Sequence, residues 1–151
     1  MMTRTKDLFL KPPKTALISI RPRFVEKILS GDKRLEFRRS WAVKPVDILV
    51  IYSSSPVQRI VATANVVGFT EASPTALWEL AKTKGGGVPR QLIYEYFEGK
   101  KLGFAIEIAD VLELENPVDP KMVFKNFMAP QSFRYLDAKD YDRILEKSGK
   151  G

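Results

Sequence analysis

The stretch Ser19–Arg39, SIRPRFVEKILSGDKRLEFRR, decides how the rest of the chain is read. Its first half has helical spacing. Pro22 suits a first helical position, where no backbone N–H is needed, and Val25, Ile28 and Leu29 form one apolar stripe at i, i+3 and i+4. Gly31 then offers the left-handed stop that ends a helix. After it the period changes to two: Leu35 and Phe37 share one face of a strand, Glu36 and Arg38 the other. Lys33 has the parity of Leu35, so it is expected at the strand's mouth, its stem along apolar surface and its ammonium emerging. Between Gly31 and Trp41 the cations Lys33, Arg34, Arg38 and Arg39 interleave with the carboxylates Asp32 and Glu36. A helix that passes through a glycine into a strand with its aromatic side in a core gathers those charges in one place.

Working outward, TALISI (15–20) is a β-branched run of strand length, preceded by a polar lead, 1–14, that KPP breaks and that is expected to be flexible. VDILVIYSSS (46–55) reads as a buried strand ending in Ser53, Ser54 and Ser55, and RIVATANVVGF (59–69) as another. SPTALWELAKT (73–83) predicts a helix capped by Ser73 with Pro74 first; KGGG breaks it, and VPRQLIYEYFEGK (88–100) predicts a second helix ending at Gly99. A long strand (101–114), a short helix after Asp119, an extended closing segment APQSFRYL (129–136) and an amphipathic helix (138–147) complete the domain, 15–146, before a frayed tail, 147–151. Strands outnumber the places where parallel crossovers fit, and the helices are inserted rather than alternating. The expectation is therefore one α+β domain: a small mixed β-barrel with flanking helices, not a doubly wound sheet.

Composition narrows the chemistry. The 151 residues contain no cysteine and no histidine, which removes disulfides, thiolate nucleophiles, Ser-His pairs and histidine metal ligands together. Catalysis would rest on Lys, Asp, Glu, Tyr, Ser or Thr; no cofactor and no metal site is read from the residues. No apolar run approaches the roughly 20 residues of a bilayer span, and the N-terminus lacks a signal-peptide pattern, so no membrane partner and a cytoplasmic location are expected. The net charge of +7 points to a polyanion.

The candidate site follows from the opening stretch. Lys33 is a point charge for phosphate or a polarised carbonyl, Glu36 accepts from an exocyclic base amine, and Arg38 offers a planar fork to phosphate or to Glu36 itself. Arg21 and Arg23 stand where the helix begins and add to its attraction for an anion; Arg39 continues the cluster. The plain alternative is an ion pair between Glu36 and Arg38 at the barrel mouth. Trp41 either stacks on a base or packs; Ser53, Ser54 and Ser55 bind phosphate or make a turn. Trp78, Tyr94, Tyr96 and Phe97 fall at packing positions. Arg134 either returns to the cleft, or Phe133 and Leu136 close the barrel. Lys82, Lys84 and Gly85–Gly87 read as a mobile loop that closes on ligand, since no G-K-[ST] phosphate loop is present.

SIRPRFVEKILSGDKRLEFRR resembles the signature of ASCH domains, a branch of the PUA-like superfamily, with a G-x-K-x-x-E-x-R strand at Gly31, Lys33, Glu36 and Arg38. IYSSSPVQRIVATANV (51–66) looks like the strand pair that follows in that family. The resemblance implies a PUA-like barrel with a cleft beside its first helix, and RNA or a nucleotide as partner, with DNA as a second polyanion. It also leaves two classes of function open. One is a reader, regulatory or not, in which these residues recognise without reacting. The other is a hydrolase, acting on RNA as a ribonuclease or on N4-acetylcytidine as an amidohydrolase, with Lys33 and Glu36 catalytic. In the amidohydrolase pattern a threonine follows the lysine by three positions; here that position is Glu36. The oligomeric state is not legible.

Overall fold

The structure, a computed structural model, describes residues 11–150, so the first ten residues of the expected lead lie outside it. Strand β1 (Thr15–Ile20) is buried except at Ser19, as its apolar run requires. Helix α1 (Pro22–Ser30) starts at Pro22 and stops at Gly31, whose φ of 88° only glycine adopts cheaply and whose N–H donates to the Ile28 carbonyl. Strand β2 (Leu35–Arg38) follows, then β3 (Ile48–Ser53) and β4 (Arg59–Ala72). Helix α2 (Pro74–Lys84) is capped as expected, the Ser73 hydroxyl accepting from the Ala76 N–H at 3.2 Å. Helix α3 (Arg90–Tyr96) is shorter than its sequence pattern at both ends, starting after Pro89 and stopping where the chain turns through Phe97 to Gly99. Strand β5 (Gly103–Val118) is the longest; after Asp119 the expected helix is only a 3-10 turn, Pro120–Met122. Strand β6 (Phe133–Leu136) and helix α4 (Ala138–Lys150) end the chain, α4 continuing through residues that the sequence suggested were frayed.

Among the described residues the strands form one mixed sheet in the order β2-β5-β4-β3-β1-β6. Every neighbouring pair is antiparallel except β1 with β3, whose right-sized connection is α1 and β2. Register shifts in β4 against β5, between Ile60 and Gly68, bend the long ribbon so that the sheet curls on itself. The fold class is the expected α+β one, but the curl is a half-barrel, with no ladder joining β2 to β1 or β6. A side chain bridges that gap. Arg38, on β2, donates through Nη2 to the carbonyls of Ser19 (2.9 Å) and Ser132 (2.8 Å).

Three apolar clusters hold the sheet. Ile18, Leu49, Ile51 and Ile106 pack with α1 through Val25 and Ile28; Leu17, Val50, Ile60 and Leu114 pack on the other face with Ile144 of α4. Leu35 and Phe37 meet Leu77, Ala81 and Ile93 of α2 and α3. Trp41 belongs to the first cluster, 9% exposed and 4.9 Å from the Phe133 ring, so of its two readings the structure supports packing. A ring of that area gains more from the core than it would from a loop.

Candidate functional site

The half-barrel's open seam is also where a cavity of about 530 Å³ lies, between α1, β2 and α3. Its floor is the opening motif. Glu36 points away from Leu35 and Phe37 as the parity required, yet it is not solvent-facing: it is 5% exposed, covered by α1 and α3. Its carboxylate lies 3.4 Å from Lys33 Nζ and 3.5 Å from Arg38 Nη1. Both separations exceed a close charge-assisted hydrogen bond of about 2.7–2.9 Å, so acceptor capacity on Glu36 is left facing the cavity.

Lys33 corrects the expectation most sharply, being 3% exposed with its ammonium turned inward rather than emerging. The cause is the glycine loop. A Cβ on Gly87 would meet the Lys33 Cβ at 2.6 Å, and one on Gly86 would meet Ala81 at 2.5 Å, so only glycines let the loop lie over the lysine stem. The Lys33 ammonium donates to the Leu35 carbonyl, lies 3.4 Å from that of Gly86, and rests 4.8 Å from the Phe37 ring centroid. Burial lowers its pKa; Glu36 opposes that, and Arg38 and Lys27 reinforce it. Three further contacts pin the loop: Arg34 N–H to the Gly85 carbonyl at 2.7 Å, Gly86 N–H to Ala81 at 2.9 Å, and Lys27 Nζ to Gly87 at 2.9 Å. Lys84 pairs with Glu107 and Lys82 with Glu79. In this conformation the triple glycine is a fitted wall against Lys33.

Arg21 and Arg23, both exposed, line the cavity's lip. The first turn of α1 has no acidic residue and no capping side chain, while Glu95 lines the same cavity from α3 and Arg23 stacks 4.6 Å over Phe24. Arg38 lines the floor, its Nε buried without a partner among the described residues, so its guanidinium is chiefly a clamp across the seam. The serines divide: Ser53 is buried at the end of β3, Ser54 lines the cavity, and Ser55 sits exposed in the turn. Arg39 does not reach the cavity. It donates to the carbonyls of Tyr96 (2.8 Å) and Glu98 (3.0 Å), bracing α3 from outside. Arg134 faces away, stacked 4.4 Å over Phe124, because β6 sends alternate residues to opposite sides.

The sequence reading missed the cavity's other half. Phe24, Val88, Leu92 and Tyr96 make an apolar wall facing the charged floor, and Gln131 arrives from beside β6. Tyr96, whose spacing suggests packing, is 38% exposed at this wall. Burial raises its hydroxyl pKa, with nearby Arg38 acting the other way. Its 3.6-period spacing is that of any helical aromatic, so only the pairing of α3 with the seam identifies it. Among the described residues no group of three carboxylates converges as a metal cluster, and no helix is long and apolar enough to cross a membrane. The whole arrangement offers an aromatic-lined slot with an acceptor and cations at its base and arginines at its rim.

Known proteins share this architecture. A curated ASCH domain-containing ribonuclease from Zymomonas mobilis is 27% identical over 139 residues, spanning 87% of this chain and 90% of the relative. The crystal structure of ASCH from Zymomonas mobilis superposes with a TM-score of 0.81 at 26% identity, covering 88% of this chain and 94% of that one. The N-terminal domain of Staphylothermus marinus McrB, at 10% identity and a TM-score of 0.51, shares the fold alone, over 88% of this chain and 93% of that one. The ASCH domain profile matches residues 18–118, from β1 to the end of β5, and the chain accordingly belongs to the ASCH domain family.

Proposed function

We propose that the seam cavity binds single-stranded RNA, one nucleotide entering the slot while Arg21 and Arg23 hold its phosphates. The observation that carries this reading is Glu36: a buried carboxylate with unspent acceptor capacity, under a cationic rim and opposite an apolar wall. A carboxylate there accepts from a base amine or from a ribose 2′-hydroxyl, and the apolar wall of Phe24, Leu92 and Tyr96 suits a base face. The volume of about 530 Å³ is that of a small-ligand site. The relative's name, a ribonuclease, supports RNA over DNA as the partner. A cytoplasmic setting belongs to the same reading.

Cleavage is the second reading, favoured by one observation. Burial lowers the Lys33 pKa, which makes a neutral amine more accessible as a general base beside Glu36. That amine would take the proton of a 2′-hydroxyl, the 2′-oxygen would attack the adjacent phosphorus to form a 2′,3′-cyclic phosphate, and the 5′-oxygen would leave as a hydroxyl protonated by water. The amidohydrolase alternative is weaker, because Glu36 stands where that chemistry places a threonine.

Fluorescence anisotropy with short single-stranded RNA, and with DNA of the same sequence as competitor, tests the first reading. Affinity should weaken with salt at a log-log slope of about 0.7 per phosphate contacted, and DNA should compete poorly. Absence of RNA binding at low salt overturns it. The same RNA, incubated with wild type and with Lys33→Met and resolved on a gel, decides the second: products from wild type alone would establish cleavage.

A further inference from the structure

We propose a second subsite, for the nucleotide that follows the one in the cavity, made by the ring of Tyr135 and the ammonium of Lys44. The inference rests on the reading that the cavity holds RNA. It begins with an aromatic run that leads out of the core. Buried Trp41 packs on Phe133 at 4.9 Å, and Phe133 meets Tyr135 edge-on at 5.4 Å and 84°. Phe133 and Tyr135 are two apart on β6 and so share a face. At the end of the run Tyr135 is 39% exposed.

An exposed tyrosine is ordinary, but this one is fixed. The Lys44 backbone N–H donates to its hydroxyl at 3.2 Å, Phe133 packs against it in a T-shaped contact, and Lys44 Nζ lies over the ring, 5.5 Å from its centroid. The ring is therefore held by its hydroxyl and by Phe133, with little conformational freedom left to lose when a base takes the place of the ammonium on its face. A cation at the same place suits the accompanying phosphate.

Its position continues the cavity. Gln131 lines that cavity, and the Ser132 carbonyl accepts from Arg38 at the floor. Tyr135 lies three residues further along the chain, about 10 Å at strand rise. On this proposal an RNA strand that leaves the cavity on the β6 side would reach the ring and its ammonium. Arg134, between Phe133 and Tyr135, faces the opposite side and plays no part.

The test measures affinity for a mononucleotide and for single-stranded RNA oligomers of increasing length, with Tyr135→Leu, Tyr135→Phe and Lys44→Met beside wild type. Wild-type affinity should step up with the first oligomer long enough to reach the ring. Tyr135→Leu should lose that step, about tenfold, while its mononucleotide affinity stays unchanged. Tyr135→Phe, which keeps the ring and gives up only the hydroxyl tether, should retain most of it. Lys44→Met should lower the salt slope for the long oligomer by about 0.7. Wild-type affinity for long oligomers in Tyr135→Leu would overturn the subsite alone. A parallel fall in mononucleotide affinity and melting temperature would also overturn it, by making the ring a structural prop. Wild type that binds no RNA of any length would overturn the cavity reading, and the subsite with it.

Discussion

At the scale of the residue, Lys33 and Glu36 carry the proposed site, and burial governs how Lys33 titrates. Below 10.5, the ordinary lysine value, the unfolded chain keeps the Lys33 proton that the folded protein, with its lowered pKa, gives up earlier. Between the lowered value and 10.5 the unfolded state thus binds more protons, so stability rises with pH through that window and is smaller below it. Thermal melts over this range should show the rise in wild type and its loss in Lys33→Met; equal slopes would contradict the buried ammonium. Glu36 is the contact that holds the Lys33 pKa up. Glu36→Gln should therefore push it lower still, and should cost about 1–3 kcal/mol of RNA affinity as a hydrogen bond to a charged acceptor is weakened. Calorimetric titration with RNA reads that loss directly. The parity of Lys33, Glu36 and Arg38 was legible in the sequence. Their burial was not, because what covers Lys33 is Gly86, 53 residues away, and what fixes Arg38 is Ser132, 94 residues away.

At the scale of the element, the local signals were read correctly wherever a single residue settles the backbone. Pro22, Gly31, Ser73 and Gly85 mark ends of α1 and α2 where they were expected. Aromatic residues were the harder case. Trp41 and Tyr96 both follow amphipathic segments, and spacing alone does not say which faces the core; packing against Phe133 draws Trp41 in, while the place of α3 beside the seam leaves Tyr96 at the cavity. Two substitutions test the packing of these elements. Trp41→Ala should cost about 3–5 kcal/mol of stability, typical of a large aromatic removed from a core, and denaturant unfolding measures it; mononucleotide affinity below the transition should be unchanged. Gly87→Ala should destabilise by about 1–2 kcal/mol from its left-handed backbone alone, since its φ is 71°. The new methyl would also press on the Lys33 stem, so this variant should lose RNA affinity as well as stability. A Gly87→Ala protein of wild-type stability would restore the mobile-lid reading of the loop.

At the scale of the whole molecule, the proposed function rests on a sheet that does not close. A ladder between β2 and β1 would have filled the seam; a guanidinium spans it instead and leaves room for the cavity. The alternation of strands and inserted helices made a mixed barrel legible, but which edges remain unpaired depends on long-range register that no local window contains. The positive excess of the chain, +7, draws a polyanion toward every face; the seam is where shape, acceptor and cations coincide. The most direct test is a two-dimensional amide NMR titration of the wild-type protein with a ribonucleoside monophosphate. Shifts concentrated at Arg23, Phe24, Glu36, Tyr96 and Gln131 are the predicted result. Shifts spread over the basic surface, with those five residues unmoved at saturation, would contradict the cavity as the site of binding.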